Sequence, residues 1–335
     1  MHIPDGFVSG PINGMTAATS AAAVAFSVWR VKREVGQKEF AVPLLATTAA
    51  FVFAAQMLNF PIGGGTSGHF LGAATAAALL GPWSACIILT LVLVIQGLLF
   101  ADGGISALGS NVLNMGVIGG MGAYLIMRGV RALLPAGRGG YLASAAVASW
   151  ASVVVASGVC AVELAMSGTS PLGIALPAMA GTHAVIGIGE ALIATAVLTA
   201  VATARPDIIP EWARLHEAHS SHGRTRRGVW ALAGVGLALS VALALFGSPF
   251  ASRSPDGLEK VAEQKGFMQA AAQDKVVWTR APLPEYKVKG VESEKGSTSL
   301  AGLIGTAGVF VLGLVVIKVV ARQPTGRVRQ GQKRK

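Results

Sequence analysis

The chain has 335 residues, of which 53% are hydrophobic and only 13% carry a charged side chain. Soluble globular domains contain about 25% charged residues, so this composition excludes an ordinary soluble protein and indicates several membrane spans. The net charge of +11 does not predict nucleic-acid binding, because the basic residues lie in loops between apolar segments and not on one face among aromatic residues.

The first two residues place three nitrogen ligands close together in the chain. With Met1 as the terminus, its α-amine, the His2 amide nitrogen and His2 Nδ1 can close two chelate rings on one metal ion. Such an arrangement suits a square-planar ion, Ni(II) or Cu(II). Many chains begin with Met-His by chance, so the dipeptide alone raises the hypothesis without deciding it.

The apolar segments predict an all-α polytopic membrane protein. A spanning helix needs about 20 apolar residues, and one of the pieces, at 70–82, is shorter than that. The predicted segments are 14–29, 41–58, 70–82, 84–101, 111–128, 141–165, 181–204, 228–247 and 300–321. Cys86 and Cys160 lie within such segments, so we expect buried free thiols and no disulfide.

The distribution of Lys and Arg predicts the orientation of these segments. The stretches 30–40, 128–140, 205–227 and 322–335 hold four, three, five and six basic residues, whereas 59–69, 102–110 and 166–180 hold none. Basic loops stay in the cytoplasm, so the N-terminus is predicted outside and the C-terminus inside. Counting 70–82 as a crossing keeps the basic loops on one side, which gives nine membrane segments.

Composition also divides the chain. The predicted parts are a membrane domain (1–204), a cytoplasmic linker (205–227), a two-helix hairpin (228–321) with an outer loop (248–298), and a basic tail (322–335). We expect the tail to contact anionic membrane lipids. In the linker, His216, His219 and His222 resemble a metal tract, but a solvated charged surface is the simpler interpretation.

A glycine-rich outer loop supplies further candidate ligands. Thr66 or Ser67 is predicted to cap the helix that follows, and His69 to lie at its outer end on the same side as Met1. A nitrogen from His69 would complete a square plane with the three from Met1 and His2. The alternative is a histidine that only hydrogen-bonds to loop carbonyls.

Polar residues inside membrane segments are costly and therefore mark functional candidates. Those expected to orient the ligands or to line a pocket are Thr66, Ser67, Gln96, Asp102, Asn111, Asn114, His183 and Glu190. Asp102 and the amides are predicted to hold His2 or His69 in position, with helix packing as the alternative for the asparagines. His183 and Glu190 share a helix face, where a polar contact within the bundle is expected.

Two further expectations concern Glu163 and the long loop at 248–298. Glu163, near the outer end of its span, is predicted to be interfacial. Ser254 before Pro255 predicts the start of a short outer helix, since proline is tolerated in the first helical turn. Such a helix could cover the mouth of the pocket, and the alternative is an inert spacer.

These motifs together resemble the NikM/CbiM family, the substrate-capturing (S) components of energy-coupling-factor transporters for nickel and cobalt. The resemblance covers about residues 1–204 and rests on Met1-His2-Ile3-Pro4-Asp5-Gly6-Phe7, Asn59-Phe60-Pro61, Gly64-Gly65-Thr66-Ser67-Gly68-His69, Gln96-Gly97-Leu98, Ala101-Asp102-Gly103-Gly104, Asn111, Asn114-Met115-Gly116, and Thr182-His183-Ala184-Val185-Ile186-Gly187 to Glu190. The remainder is similar to the NikN-type accessory component through Pro255-Asp256-Gly257-Leu258-Glu259.

The resemblance implies a seven-helix fold, a six-helix bundle preceded by an extra N-terminal helix that lets Met1 reach the pocket. It implies Met1 N, His2 N and Nδ1, and His69 as ligands of a transported Ni(II), without a catalytic cofactor. It also implies a transmembrane coupling (T) component and cytoplasmic ATPase subunits of the ABC type as partners. The expected location is the inner (cytoplasmic) membrane of a bacterial-type cell.

Three alternatives stay open at this point. The first keeps the class and changes the cargo to Co(II), for cobalamin synthesis. The second is an intramembrane metalloenzyme with zinc at His183 and Glu190, although the two-histidine metalloprotease helix motif is absent from the sequence. The third is a structural membrane scaffold.

Overall fold

The computed structural model describes residues 2–35, 41–206, 208–209, 226–271 and 275–321. Met1, the linker histidines His216, His219 and His222, and the basic tail lie outside these residues, so the predictions made for them stay predictions. The described chain is mainly helical and contains one short antiparallel hairpin.

Helices follow one another along the chain, and the hairpin lies between the second and third of them. The helices are α1 (Gly10–Val35), α2 (Ala41–Gln56), α3 (Ala73–Leu80), α4 (Pro82–Ile95), α5 (Leu108–Asn111), α6 (Ala123–Leu133), α7 (Arg138–Met166), α8 (Leu172–Ala204), α9 (Arg226–Ala242), α10 (Gly257–Lys265) and α11 (Glu294–Ala321), and the strands are β1 (Asn59–Gly63) and β2 (Thr66–His69). Short 3-10 turns lie at Ser248–Phe250, Met268–Ala271 and Pro284–Tyr286.

Six helical segments in the described ranges are long and apolar enough to cross a membrane. They are Pro82–Phe100, Leu108–Leu133, Arg138–Met166, Leu172–Ala204, Gly228–Phe250 and Glu294–Val320. The prediction of a multi-pass helical protein is confirmed at this level. The other three predicted segments correspond to α1, which carries several polar residues, to α2 with 16 residues and to α3 with eight, so the count of nine and its orientation stay predictions.

Helix α1 packs closely on α5 through small and polar residues. Thr16 Oγ1 and Ser110 Oγ lie 2.9 Å apart, and the Ser20 hydroxyl donates to the Gly109 carbonyl at 2.7 Å. A side chain at Gly109 would overlap the Ala17 backbone. This contact fixes α1 against the bundle and thereby places the peptide that precedes it.

The C-terminal helices lie against the N-terminal bundle. Helix α2 packs against both α9 and α11, and a side chain at Gly305 of α11 would overlap the ring of Phe53. Phe53 is fully buried and packs on Phe100, within a continuous core. Cys86 and Cys160 are buried free thiols, as predicted.

Two π-helical segments interrupt the helices near the polar residues. One covers Gln96–Phe100 after α4, and the other covers Val112–Gly122 between α5 and α6. Such segments occur often at functional sites. The first ends at Ala101, whose left-handed conformation (φ 54°) turns the chain so that the Asp102 amide donates to the Gln96 carbonyl at 3.1 Å. Gln96 and Asp102 are therefore brought to one place.

Candidate metal centre

The peptide that precedes α1 is inserted into the bundle. Ile3 and Phe7 have no exposed surface. The Ile3 amide donates to Asn111 Oδ1 at 2.8 Å, and the Ile3 carbonyl accepts from the Gly104 amide at 2.8 Å and from Asn111 Nδ2 at 3.1 Å. A side chain at Gly104 would overlap Asp5. Asn111 therefore holds the backbone next to His2.

Asp5 ties the same peptide to two other parts of the chain. Its carboxylate accepts from the Ser106 amide at 2.9 Å, the Ser106 hydroxyl at 2.6 Å and the Val277 amide at 2.9 Å. The next residue, Gly6, has φ +87°, and a side chain there would overlap the Ala270 carbonyl. The peptide that precedes α1, residues 2–9, which we call the terminal peptide, is thus enclosed between the connection before α5 and the outer loop.

Both ring nitrogens of His2 lie beside polar side chains. His2 Nε2 is 3.1 Å from Gln96 Oε1, and His2 Nδ1 is 3.3 Å from Asp102 Oδ1. Gln96 Nε2 donates to Gln56 Oε1 at 2.8 Å, which fixes its amide so that Oε1 accepts a hydrogen bond from His2 Nε2–H. Nδ1 is then the nitrogen left for a proton or a metal ion. Gln96 and Asp102 contact His2, as predicted.

His69, the last residue of β2, faces His2. The two ring centroids are 5.1 Å apart, with an interplanar angle of 26°. Burial and nearby positive charge hold the pKa of His69 well below its usual value, so the neutral ring keeps a lone pair at neutral pH. A neutral imidazole is the form that binds metal ions.

Glu190 of α8 supports the turn that follows His69. Its carboxylate oxygens accept from the Leu71 amide at 2.6 Å and the Gly72 amide at 2.9 Å. Gly72 has φ +74°, a conformation that favours glycine. The expected polar contact of Glu190 within the bundle is therefore present, and it fixes the backbone beside His69.

The prediction that Thr66 or Ser67 caps the following helix is wrong. Helix α3 begins at Ala73 without a side-chain cap, because the hairpin ends at His69 and three residues separate the two elements. Thr66 is buried in β2 opposite Gly63. The Ser67 hydroxyl donates instead to the Ser254 carbonyl at 2.7 Å, and its amide to the Pro255 carbonyl at 2.9 Å. Ser67 therefore docks the outer loop onto the hairpin.

The docked loop brings a carboxylate to the two histidines. Ligand atoms of His2, His69 and Asp256 all lie within 4.8 Å of one another. Asp256, and not Ser254, is the N-cap of the outer helix α10: it accepts from the Glu259 amide at 2.9 Å, and Glu259 reaches back to the Asp256 amide at 3.2 Å. Although burial raises the pKa of Asp256, nearby positive charge and the Glu259 amide outweigh burial and lower it, so the group is a carboxylate.

The outer loop also reaches Asp102. The Tyr286 hydroxyl donates to Asp102 Oδ2 at 2.6 Å, while the Tyr286 ring stacks on Phe100 with centroids 4.5 Å apart. Burial and the neighbouring Asp102 carboxylate raise the pKa of Tyr286 well above its usual value, so the hydroxyl keeps its proton as the donor. The loop therefore covers the pocket, as its predicted helix suggested.

In the described residues, the hydrogen-bond partners of Asn114 and His183 are residues other than His2. Asn114 Nδ2 donates to Glu163 Oε2 at 2.9 Å, and Glu163 is 4% exposed, so the prediction of an interfacial Glu163 is wrong. The π-helical segment that carries Asn114 meets α7 there, so the Glu163 carboxylate gains a buried partner. His183 is buried on α8, with Nδ1 2.8 Å from the Met179 carbonyl oxygen.

Sequence reasoning missed three contributors to the site, Gln56, Asp256 and Tyr286. For Asp256 a signal exists, because an N-cap Asp followed three residues later by Glu is the capping-box pattern. Gln56, at the end of α2, is a polar residue in an apolar segment and qualified as a candidate on that ground. For Tyr286, the neighbouring sequence contains no pattern that predicts a place in the site.

Two protein-family models match most of the chain. The family model CbiM, described as a cobalt uptake substrate-specific transmembrane region, matches residues 2–208, and the PDGLE domain model matches residues 230–322. The fused nickel transport protein NikMN of Rhodobacter capsulatus is 34% identical over 92% of this chain and 94% of its own length. A protein of Archaeoglobus fulgidus, provisionally described as a fused nickel transport protein NikMN, is 34% identical over 95% of this chain and 98% of its own length.

A solved structure points the same way. A crystal structure described as a transition metal transporter is 33% identical, with a TM-score of 0.56, and covers 66% of this chain and 100% of its own. The multi-pass helical fold and this similarity define a membrane component of nickel and cobalt transport. The chain belongs to the CbiM family and carries a PDGLE domain in the same polypeptide. Its relatives are named as transport proteins and not as enzymes, which confirms the prediction of a transport protein.

Proposed function

We propose that this chain is the substrate-capturing component of an energy-coupling-factor importer and binds Ni(II) through four nitrogens. The ligands are the Met1 α-amine, the His2 amide nitrogen, His2 Nδ1 and a ring nitrogen of His69. The observation that carries the proposal is the orientation of His2, whose Nε2–H is engaged by Gln96 while the ring lies 5.1 Å from that of His69. An outer partner that fixes the tautomer is typical of metal-bound histidine.

Two carboxylates contribute to the charge balance of such a site. A divalent ion with one deprotonated amide keeps a single positive charge, which is costly to bury unpaired. The Asp256 carboxylate lies within 4.8 Å of the ligand atoms of His2 and His69, and Asp102 Oδ1 lies 3.3 Å from His2 Nδ1. The outer loop thereby contributes to the site electrostatically as well as by covering it.

The energy for transport comes from other subunits in this proposal. The sequence contains no phosphate-binding pattern of glycine, four residues and Gly-Lys-Ser/Thr. A transmembrane coupling component and ABC-type ATPases in the inner (cytoplasmic) membrane supply the missing functions. Residues 1–204 form the metal-capturing domain with the N-terminus outside, and the linker 205–227 joins it to the hairpin 228–321.

Titration of the purified full chain with its native terminus tests the choice of cargo. We expect one equivalent of Ni(II) to bind more tightly than Co(II), because four nitrogens in a plane suit Ni(II), whereas Co(II) commonly takes more ligands. Isothermal titration calorimetry measures both affinities. Tighter binding of Co(II) would favour the alternative, cobalt uptake, which the family description also supports. Metal uptake by cells that lack other importers, dependent on the ATPase partners, tests the transport role.

The substitution Asp256→Asn separates the charge of this residue from its capping role. Asparagine caps helices as well as aspartate does, so α10 keeps its start, while the negative charge near the ion is lost. We expect Ni(II) affinity to fall by about tenfold. Calorimetry on the variant measures the change, and Glu263→Gln on the half-exposed face of the same helix is the matched control. Equal affinity of the Asp256 variant and the control would contradict the charge-balancing role.

A further inference from the structure

A second imidazole nitrogen lies close to the first site without a partner. His183 is 2% exposed, and its Nδ1 is 2.8 Å from the Met179 carbonyl oxygen. A carbonyl only accepts, so Nδ1 carries the proton and Nε2 keeps a lone pair. Within the described ranges of the chain, His183 Nε2 is buried and has no hydrogen-bond partner. Buried polar atoms in proteins are normally satisfied, so this nitrogen calls for a ligand.

His183 and His69 border the same small cavity. It has a volume of about 20 Å³ and is lined by Gly68, His69, Leu71, Val153, His183, Ile186 and Gly257. That volume is enough for one water molecule or one metal ion. Apart from the two imidazoles, the lining side chains are apolar or are glycines. Imidazole is a good ligand for Ni(II), Co(II), Cu(II) and Zn(II).

Two glycines shape this cavity. A Cβ at Gly257 would lie 2.8 Å from His183 Cε1 and 2.9 Å from His183 Nε2, and a Cβ at Gly68 would lie 2.8 Å from Ile186 Cγ1. The absence of side chains at both positions lets α10 and β2 approach α8 closely. Gly257 directly follows Asp256, so the same turn of the outer loop borders both the first site and this cavity.

We propose that the cavity is a second position for the divalent cargo, held by His183 Nε2 and the ring of His69. The inference rests on the proposed function, because His69 belongs to both positions. An ion that moves into the cavity loses three ligands, the Met1 amine, the His2 amide nitrogen and His2 Nδ1, and gains His183 Nε2. Because both positions use His69, only one of them holds an ion at a time. With two nitrogens in place of four, the second position binds more weakly, which suits a transit position.

The test uses the full chain with two alanines added before Met1, which removes the amine from the first site and places the new amine too far from His2 for a terminal chelate. Equilibrium dialysis with Ni(II) measures the remaining affinity. We expect residual binding of one equivalent with a Kd below about 1 mM, weakened about tenfold or more by His183→Gln. Thr182→Ala, one residue away and outside the cavity lining, is the matched control and leaves the residual binding unchanged. Nickel-edge X-ray absorption is expected to show two imidazole ligands on the bound Ni(II) in the extended chain, and one imidazole ligand after His183→Gln.

A second variant guards against misfolding of the His183 substitution. Gly257→Ala places a methyl group against Nε2 and leaves the imidazole in the chain, so it lowers the residual affinity as well. Residual binding that is insensitive to both variants, or the absence of any residual binding up to about 1 mM Ni(II), overturns the second position. If the two added alanines leave the full affinity intact, the proposed four-nitrogen site itself fails. The two failures are therefore distinguishable.

Discussion

A chain extended by a single alanine before Met1 is expected to bind Ni(II) about 1,000-fold more weakly than the native chain, or worse. The extension converts the α-amine of Met1 into an amide nitrogen, which binds a metal ion only after losing its proton, and moves the free amine one residue away from the proposed chelate. The enclosed terminal peptide adds a steric reason. Its backbone is held at Ile3 by Asn111 and at Asp5 by Ser106, so it cannot shift to offer the new amine in the same place.

Calorimetry on purified native and extended chains measures this loss. The matched control carries the same alanine after Lys335, at the other end of the chain, and keeps the native affinity. His69→Ala serves as a graded comparison, because it removes one nitrogen and leaves the three-nitrogen chelate, and its loss is the smaller one. An extension by two alanines removes the further possibility that the new amine, two amide nitrogens and His2 Nδ1 form a different four-nitrogen chelate. Full affinity in both extended chains would refute the assignment of the Met1 amine as a ligand.

Glu190→Ala is expected to reduce stability and metal affinity together. The substitution leaves the buried Leu71 and Gly72 amides without acceptors. Each unsatisfied buried donor costs about 1–3 kcal/mol, so the free energy of unfolding falls by about 2–6 kcal/mol. Because the same turn follows His69, the ring loses its fixed position and the affinity for Ni(II) falls as well.

Thermal unfolding in detergent and calorimetry measure the two effects of Glu190→Ala. Glu190→Gln keeps one carbonyl acceptor and shows a smaller loss of stability. Thr195→Ala is a control on the same helix, since its hydroxyl donates only to the Ala191 carbonyl one turn earlier. An unchanged melting temperature in Glu190→Ala would show that the two amides find other acceptors.

The membrane character of the chain was predictable because it depends on composition. Apolar runs locate the long helices that follow residue 82, as Arg138–Met166 illustrates against the predicted 141–165, although α8 begins at Leu172, nine residues before the predicted 181. The short pieces were less predictable. Residues 59–69 form a β-hairpin, which was not predicted because a glycine-rich segment carries too little periodicity to distinguish a hairpin from a loop. Within the predicted segment 70–82, only the eight residues of α3 are helical.

The site divides along the same line. The proximity of His2, His69, Gln96 and Asp102 was predictable. Gln96 is a polar residue in an apolar segment, and the other three lie in stretches that the distribution of Lys and Arg predicts on one side of the membrane. Ser67 was assigned the wrong role, because its partners, the carbonyls of Ser254 and Pro255, lie nearly two hundred residues away in sequence. Docking of the outer loop is a property of the folded chain, and no local pattern encodes it.

The contacts between the outer loop and the terminal peptide have a consequence for assembly. Because the two parts belong to one polypeptide, their association is intramolecular and is governed by an effective concentration that does not depend on the protein concentration. The hydrogen bonds of Ser67, Asp102 and Asp5 to the loop therefore form equally well at any protein concentration. Dilution in the membrane, which would separate two independent subunits, leaves this lid in place.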